Sequence, residues 1–307
     1  MAFDAFALIL TMLALGMGFA RLRLLPANAA ETLNLVVLYV CLPAAVLIYA
    51  PRLHVDVSLA GLIATPWLLA AATLLLVALA TRLFKFRRDE HAVLLLCVAL
   101  GNTSFIGYPM VRALLGERAL PYAVVYDQFG TFVLLSTFGL YVLAKYAGDE
   151  APTAKLILRR ILKFPPVWAL ILGLTVMPEQ PPQWIASALQ KLADALLPLV
   201  MLAVGLSIQL KLPRDEVKPL ATGLLLKLVM MPALALALAL LFGMRGGMLQ
   251  VNALQSAMPT MISAGALAIA HNLAPRLAAA LVGYGILLSL ATLPAWVWVL
   301  QRFGGGA

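Results

Sequence analysis

Residues 101–109 have the sequence GNTSFIGYP, and residues 252–260 have the sequence NALQSAMPT. Each stretch interrupts an otherwise apolar segment and places an Asn seven residues before a Pro. Lipid cannot hydrogen-bond the backbone groups that a broken helix frees, so such breaks survive only where they face protein or a wet cavity. A matched pair of breaks in the two halves of a chain predicts the substrate site of a secondary transporter.

The composition predicts an all-α integral membrane protein. Of the 307 residues, 64% are hydrophobic and 11% are charged, and the mean hydropathy is +1.00. A membrane helix needs about 20 mostly apolar residues, and a soluble helical protein would need polar faces that these segments lack. Residues 1–307 therefore form a single polytopic membrane domain. The predicted spans lie at about 4–20, 31–50, 57–81, 91–115, 119–144, 160–177, 184–210, 216–242, 248–270 and 276–300.

The basic residues are divided unequally between alternate connections. Fifteen of the 22 Lys and Arg residues fall in the odd-numbered connections, and six fall on the opposite side. Since Lys and Arg accumulate on the cytoplasmic side, we predict both termini on the outer side of the membrane, which in a bacterial inner membrane is the periplasmic side. The net charge of +9 is thus a topology signal. We expect contact with membrane lipid and no binding of nucleic acid.

The longest polar connection, residues 145–163, divides the ten predicted spans into two groups of five. We place the first repeat at residues 1–147 and the second at 157–307. The pairs Leu42-Pro43 and Leu197-Pro198 recur in the second and seventh spans, although an ordinary proline kink explains either one alone. Because five is odd, two sequence-alike halves insert with opposite orientation. The expected fold is a 5+5 inverted repeat of ten transmembrane helices with helices 4 and 9 broken.

Ionisable side chains within the predicted spans are few. Asp127 lies in the fifth span, Lys227 in the eighth and Asp194 near the start of the seventh. Each costs about 3 kcal/mol at the bilayer centre unless it has a partner or water. We assign Asp127 and Lys227 to coupling and charge compensation, with a fixed structural pair between helices as the alternative. Asp194 is close enough to a span end to snorkel or to form such a pair.

The residues of the two breaks suit an anion. A helix that restarts after a break exposes N–H groups and a partial positive charge at its N-terminus. We expect Asn102, Thr103, Gln255 and Thr260 to add donors for the substrate. Their oxygens also suit sodium, but an all-oxygen cation site needs several carbonyls or carboxylates, and Asp127 is the only obvious acid. An organic anion coupled to protons is favoured, with sodium as the alternative ion.

The sequence contains no signature of an enzyme or of a cofactor site. It has no HExxH, CxxC or glycine-rich phosphate loop, and no Ser-His-Asp ordering stands out. Cys41 and Cys97 fall in apolar segments and are interpreted as small core residues. We therefore expect no catalytic residue, no metal and no cofactor in this chain.

Several motifs resemble those of the auxin efflux carrier family, whose bacterial members are described as permeases. The most specific is the GNT of residues 101–103 followed by Gly107-Tyr108-Pro109. The motifs occur in order from the first span to the last. The other matching segments are Leu33–Pro43, Leu196–Pro198 with Ala203–Leu206, Lys227 with Met231-Pro232, and Gln255–Pro259.

The resemblance implies a ten-helix inverted repeat in which helices 4 and 9 cross at Pro109 and Pro259. It further implies a scaffold of helices 1, 2, 6 and 7, and a mobile transport domain of helices 3–5 and 8–10. The plant members are homodimers that move an indole carboxylate by an elevator motion. In them an Asn in helix 4 and another just after helix 9 contact the carboxylate, and by motif these are similar to Asn102 and Asn272.

The sequence departs from the plant pattern at two places, one in a connection between helices and one in the second break. The connection between helices 5 and 6 is short here, and Thr260 stands where the plant carriers have Gln. The bacterial relatives are tied more to malate or malonate. We expect a secondary transporter of small organic anions such as malate, malonate or indole-type carboxylates. The alternatives are a sodium-coupled symporter of the bile-acid type and a membrane sensor that binds a ligand without moving it.

Overall fold

The computed structural model describes residues 2–53, 59–148, 153–207 and 214–303. Helices form nearly all of these residues, and the described ranges contain no β-strand. In the first half of the chain the α-helices are α1 (Ala2–Leu22), α2 (Ala29–Val36), α3 (Leu42–Tyr49), α4 (Leu59–Phe84), α5 (Arg88–Ala99), α6 (Gly107–Leu115), α7 (Leu120–Val125), α8 (Phe132–Leu134) and α9 (Leu140–Ala147). In the second half they are α10 (Ala154–Leu162), α11 (Pro165–Thr175), α12 (Gln183–Asp194), α13 (Leu196–Ser207), α14 (Val217–Leu225), α15 (Met231–Leu241), α16 (Gly246–Ser256), α17 (Ile262–Ala270) and α18 (Pro275–Phe303).

Six described helical stretches are long and apolar enough to cross a membrane: Ala29–Arg52, Leu59–Phe84, Glu117–Ala147, Gln183–Ser207, Val217–Leu241 and Pro275–Arg302. Two shorter apolar helices, Ala7–Leu22 and Pro165–Thr175, fall at the first and sixth predicted spans. The two remaining predicted spans are each divided, the fourth into α5 and α6 and the ninth into α16 and α17. The prediction of an all-α, multi-pass membrane protein is thus confirmed.

Short π-helical segments join the α-helices within several spans. In the described chain they occur at Val37–Cys41, Tyr126–Thr131, Leu135–Gly139 and Leu226–Met230. A π-turn inserts an extra residue into a helical turn and is frequent at functional sites. Two of these segments contain the buried ionisable residues Asp127 and Lys227.

Contacts between residues divide the chain into two compact units. The first unit is drawn from Met1–Val55, Ser104–Val124 and Ile161–Ile208, and the second from Asp56–Thr103, Val125–Arg160 and Gln209–Ala307. The boundary passes through the first break, so that α5 belongs to the second unit and α6 to the first. The division into scaffold and mobile helices stays a prediction, because contacts in one state do not report which helices move.

In the first unit, α1 packs closely against α13. A Cβ built on Gly16 would lie 2.4 Å from the carbonyl oxygen of Leu202, and a Cβ built on Gly205 would lie 2.4 Å from the carbonyl oxygen of Leu13. Small residues at a contact between membrane helices let the two backbones approach this closely. The pair of glycines therefore sets the spacing of these two helices.

In the second unit, α5 occupies the centre. Every residue from Ala92 to Val98 is buried, and the helix contacts α4, α9, α14, α17 and α18. A helix that is apolar all round requires such cover. Its N-terminus carries a capping box in which the Arg87 backbone N–H donates to Glu90 Oε2 at 2.7 Å. This buried helix fixes the position of the first break, which begins directly after it.

Candidate functional site

The two breaks contact each other within the second unit. The Asn102 N–H donates to the Pro259 carbonyl oxygen at 2.8 Å, and the Met261 N–H donates to the Leu100 carbonyl oxygen at 2.9 Å. Together these bonds form a short antiparallel bridge between the two segments. Since lipid offers no hydrogen bonds, each break supplies partners for backbone groups that the other break has freed.

Side chains of the breaks reinforce this contact. The Thr260 hydroxyl donates to the carbonyl oxygen of Cys97 at 2.9 Å, in the last turn of α5. The Gln255 amide donates to the carbonyl oxygen of Thr103 at 3.1 Å. The structure thus brings the predicted binding residues Asn102, Thr103, Gln255 and Thr260 together, and each of them is at most 3% exposed.

Asp127 is tied to the first break. The Thr103 hydroxyl donates to Asp127 Oδ1 at 2.5 Å, and the Gln128 amide donates to Asp127 Oδ2 at 2.9 Å. The Asp127 side chain is fully buried. Hydrogen bonds to an ionised carboxylate are roughly twice as strong as neutral ones. Any change in the charge of Asp127 therefore acts directly on Thr103, and through it on the backbone of the break.

Lys227 lies on another side of the same break and is 4% exposed. A Cβ built on Gly101 would lie 3.0 Å from Lys227 Nζ, so the glycine makes room for the ammonium group. Lys227 lines a cavity of about 10 Å³ together with Thr103, Tyr126 and other residues of this unit. Such a volume is close to that of one water molecule.

A polar chain that the sequence reasoning missed runs behind this cavity. The Tyr126 and Ser256 hydroxyls lie 2.8 Å apart, and the Ser256 hydroxyl donates to the carbonyl oxygen of Asn252 at 2.8 Å. The Asn252 amide in turn donates to the carbonyl oxygen of Ala235 at 2.9 Å. The sequence signal for this chain is that its polar residues lie within apolar spans, because polar residues in such spans usually face the protein interior.

The π-helical segment that carries Lys227 has its own support. Pro232 lacks a backbone N–H, which leaves the carbonyl oxygen of Leu228 without its usual helical donor. The indole of Trp296 donates to this oxygen at 2.9 Å. The Trp296 side chain thereby stabilises the backbone that positions Lys227.

Two of the residues singled out in the sequence lie in the first unit. Pro109 is in the first turn of α6, and together with Asp194 it lines a cavity of about 420 Å³. Asp194 forms an ion pair with Arg112, and the two side chains are 46% and 37% exposed. Of the two expectations for Asp194, snorkelling or pairing, the structure has the pair, at a place where water reaches both partners.

Asn272 is placed away from the contact between the breaks. It is exposed, has a positive φ of 54°, and lines a cavity of about 600 Å³ with Arg88, Lys145 and His271. Asn102 is not among the residues that line that cavity.

Comparison with known proteins adds to these observations. A family described as membrane transport protein matches residues 1–297. An uncharacterized transporter of Methanothermobacter thermautotrophicus is 30% identical over 298 residues, which cover 95% of this chain and 96% of that protein. An uncharacterized transporter of Methanocaldococcus jannaschii is 25% identical over 306 residues, which cover 97% of this chain and 98% of that protein. The chain therefore belongs to the membrane transport protein family, that of the auxin efflux carriers, as its motifs predict.

Proposed function

We propose that this chain is a secondary active transporter of small organic anions, such as malate, malonate or indole-type carboxylates, that works by elevator-type alternating access coupled to protons. The observation that carries the proposal is the contact between the two breaks, with the backbone bonds of Asn102 and Met261 at its centre. Matched discontinuous helices are where secondary transporters hold substrate and coupling ion. Membership of the family supports transport, and the donor-rich breaks favour an anion.

The architecture we propose is a 5+5 inverted repeat of ten transmembrane helices, in which α5–α6 and α16–α17 are helices 4 and 9. Six long spans, two shorter apolar helices and two divided ones support this number. Helices 1, 2, 6 and 7 form the scaffold and the others the moving part of a homodimer. Both termini lie on the periplasmic side of a bacterial inner membrane, because the basic connections then face the cytoplasm.

The coupling residues we propose are Asp127 and Lys227. The carboxylate is bonded to Thr103 on the first break, and the ammonium group is packed against Gly101 two positions earlier. The cavity lined by Lys227 and Thr103, about 10 Å³, is far too small for an organic acid, so the substrate enters only when this region opens. A change of protonation at either residue alters the charge beside the break and thereby its affinity for an anion.

Protons suit these contacts better than sodium. Both oxygens of Asp127 accept hydrogen bonds, from Thr103 and from Gln128, whereas a sodium ion requires a cluster of oxygens directed at one point. The buried amine of Lys227 lies next to the break and would supply positive charge there when it is protonated.

The proposal is tested by current recording on proteoliposomes adsorbed to a solid-supported membrane. Malate, malonate, succinate and indole acetate are applied with and without sodium and with a pH step. We expect a substrate-dependent current that Asn102→Ala abolishes. The matched control is Asn28→Ala, since Asn28 is exposed and its side chain caps no helix. If none of the four acids gives a current and radiolabel counterflow is also absent, the result would contradict an anion carrier and favour the membrane sensor.

The coupling roles are tested in the same vesicles. Asp127→Asn and Lys227→Gln are expected to retain exchange of labelled for unlabelled substrate while losing uptake driven by a pH gradient. Uptake that depends on sodium and is unchanged by the pH gradient would contradict proton coupling and support the sodium-coupled alternative.

A further inference from the structure

The short helix α10 lies in the polar connection between the two halves of the chain. None of its residues is buried. Leu158 and Leu162 are 57% and 42% exposed, and Ile157 and Ile161 are partly exposed as well. The described part of the protein therefore leaves the apolar side chains of this helix largely uncovered, so that a molecule outside the chain can contact them.

The sequence of α10 separates apolar from basic side chains around the helix. At 3.6 residues per turn, five apolar side chains fall within one arc of about 140°. They are Ala154, Ile157, Leu158, Ile161 and Leu162. The basic side chains of the helix and of the residue that follows it fall on the opposite arc. They are Lys155, Arg159, Arg160 and Lys163. A helix with Lys and Arg on one face and large apolar side chains on the other is suited to lie in the plane of a membrane surface.

The chain on both sides of α10 keeps it close to the bilayer. The long apolar stretch Glu117–Ala147 ends seven residues before it begins, and the apolar helix α11 begins three residues after it ends. Trp168, near the start of α11, is 51% exposed, and its indole donates to the carbonyl oxygen of Leu162 at 2.7 Å. Tryptophan is enriched at the boundary between membrane and water. The last turn of α10 is thus bonded to a side chain that suits this boundary.

The charge of this segment favours an anionic partner. Residues 153–164 contain the four basic side chains and no Asp or Glu, and the nearest acids, Asp149 and Glu150, precede the helix. In the described ranges of the chain none of the four is paired with a carboxylate. Anionic lipids attract basic segments that lie directly beside a membrane span. The same helix of a second copy would instead bring like charges together.

We infer that α10 is a membrane-surface helix that binds anionic phospholipid. Its apolar side enters the boundary between headgroups and acyl chains, and its basic side chains contact lipid phosphate groups. The long stems of Lys and Arg let the charged ends reach the headgroups while the helix axis lies lower. This role goes beyond the proposed function and is independent of the substrate and the coupling ion.

The test is the position of a fluorophore on α10 of the full-length protein in lipid nanodiscs. The label is placed on Leu158→Cys, on the apolar side, or on the matched control Leu156→Cys. Leu156 is 50% exposed and falls on the basic side of the helix. Cys41 and Cys97 are buried, so the introduced thiol is the one that reacts. The discs contain phosphatidylcholine alone or a mixture with phosphatidylglycerol.

We expect nitroxides attached to lipid tails to quench the label at position 158 at least about twofold more strongly than at position 156, because the apolar face of such a helix enters the membrane by about 5–10 Å. Iodide in the water should quench the two labels in the reverse order. Phosphatidylglycerol should increase the difference, and NaCl at about 1 M, which shortens the screening length to about 3 Å, should remove that increase.

A charge variant tests the part of the basic residues. Each Lys or Arg beside an anionic surface contributes about fivefold to binding. Arg159→Gln combined with Lys163→Gln should therefore lower the ratio of membrane-bound to released α10 by up to about 25-fold in discs with phosphatidylglycerol, and much less in phosphatidylcholine. The matched control is Lys191→Gln combined with Arg245→Gln, which removes two exposed charges on the side predicted to be opposite. It should leave the quenching at position 158 unchanged.

Three results would overturn the inference. Equal quenching of the labels at positions 156 and 158 by iodide and by lipid nitroxides would show that α10 does not lie in the membrane surface. Equal quenching at position 158 with and without phosphatidylglycerol would show contact with lipid but no binding of anionic headgroups. Protection of position 158 from both quenchers would show that protein covers the apolar side, as in a contact between copies.

Discussion

The close contact between α1 and α13 in the first unit gives a sharp test of the packing. Gly16→Ala would place a methyl group 2.4 Å from the Leu202 carbonyl oxygen and 2.8 Å from the Cα of Gly205. Both obstacles are backbone atoms, which cannot rotate out of the way as a side chain can. The variant is therefore expected to push α1 and α13 apart along their contact.

The size of the effect follows from these distances. A carbon atom approaches a carbonyl oxygen to about 3.3 Å at the closest, so the helices must separate by about 1 Å. A gap of this size forfeits a quarter to a half of the dispersion energy of the atoms that line it. Overpacking of a tight contact typically costs about 1–3 kcal/mol, and the involvement of backbone on both sides places the expected loss near 2 kcal/mol.

The assay is the midpoint of thermal unfolding in detergent at one fixed heating rate. The matched control is Gly18→Ala, because Gly18 lies on the same helix and a Cβ built there meets nothing within 4 Å. We expect Gly16→Ala to lower the midpoint by several degrees and Gly18→Ala to leave it unchanged or raise it. The double variant Gly16→Ala with Gly205→Ala should cost less than the sum of the two, since one separation relieves both clashes. Equal midpoints for Gly16→Ala and Gly18→Ala would refute the reasoning.

Three further predictions concern the second unit. Thr103→Val removes the hydroxyl that donates to Asp127, so it should lower the free energy of unfolding by about 2 kcal/mol and abolish pH-driven uptake. Thr103→Ser keeps the hydroxyl and should keep both the stability and the uptake. A wild-type pH response in Thr103→Val would contradict the coupling role. Gly130→Ala brings a Cβ within 2.2 Å of the Pro66 ring, so we expect poor folding, measured as a smaller monodisperse fraction on size exclusion. A wild-type elution profile would show that the Pro66 ring can move aside. Trp296→Phe removes the indole N–H that donates to the backbone carbonyl of Leu228 and should lower the free energy of unfolding by about 1–3 kcal/mol. An unchanged midpoint of thermal unfolding would contradict this role of Trp296.

The sequence alone was enough to locate the breaks. Asn102 and Pro109 in one span and Asn252 and Pro259 in the other stand out because polar and helix-breaking residues are rare in lipid-facing helices. The structure ends α5 at Ala99, directly before the first motif, and α16 at Ser256, within the second. Such a prediction succeeds because a break is a local property, decided by the few residues that cannot continue an apolar helix.

The partners of these residues could not be found in the same way. Thr103 meets Asp127 across 24 positions of sequence, and Lys227 packs on Gly101, because separate helices bring them together. The pairing of Arg112 with Asp194 leaves no sequence signal, since a basic residue near a span end looks the same whether it orients the protein or pairs with a carboxylate. The π-helical segments were also missed, because an inserted residue leaves no distinct hydropathy pattern.

The contact between the breaks also explains why two discontinuous helices occur as a pair. A single break in a membrane exposes N–H and C=O groups that lipid cannot satisfy, and a partner on a stationary part of the protein would resist any motion. Here the bonds of Asn102 with Pro259 and of Met261 with Leu100 lie within one unit, as does the bond from Thr260 to Cys97. These bonds would persist if that unit moved as a body. If that unit moves during transport, as we propose, breaks that satisfy each other would keep its irregular backbone hydrogen-bonded throughout the motion.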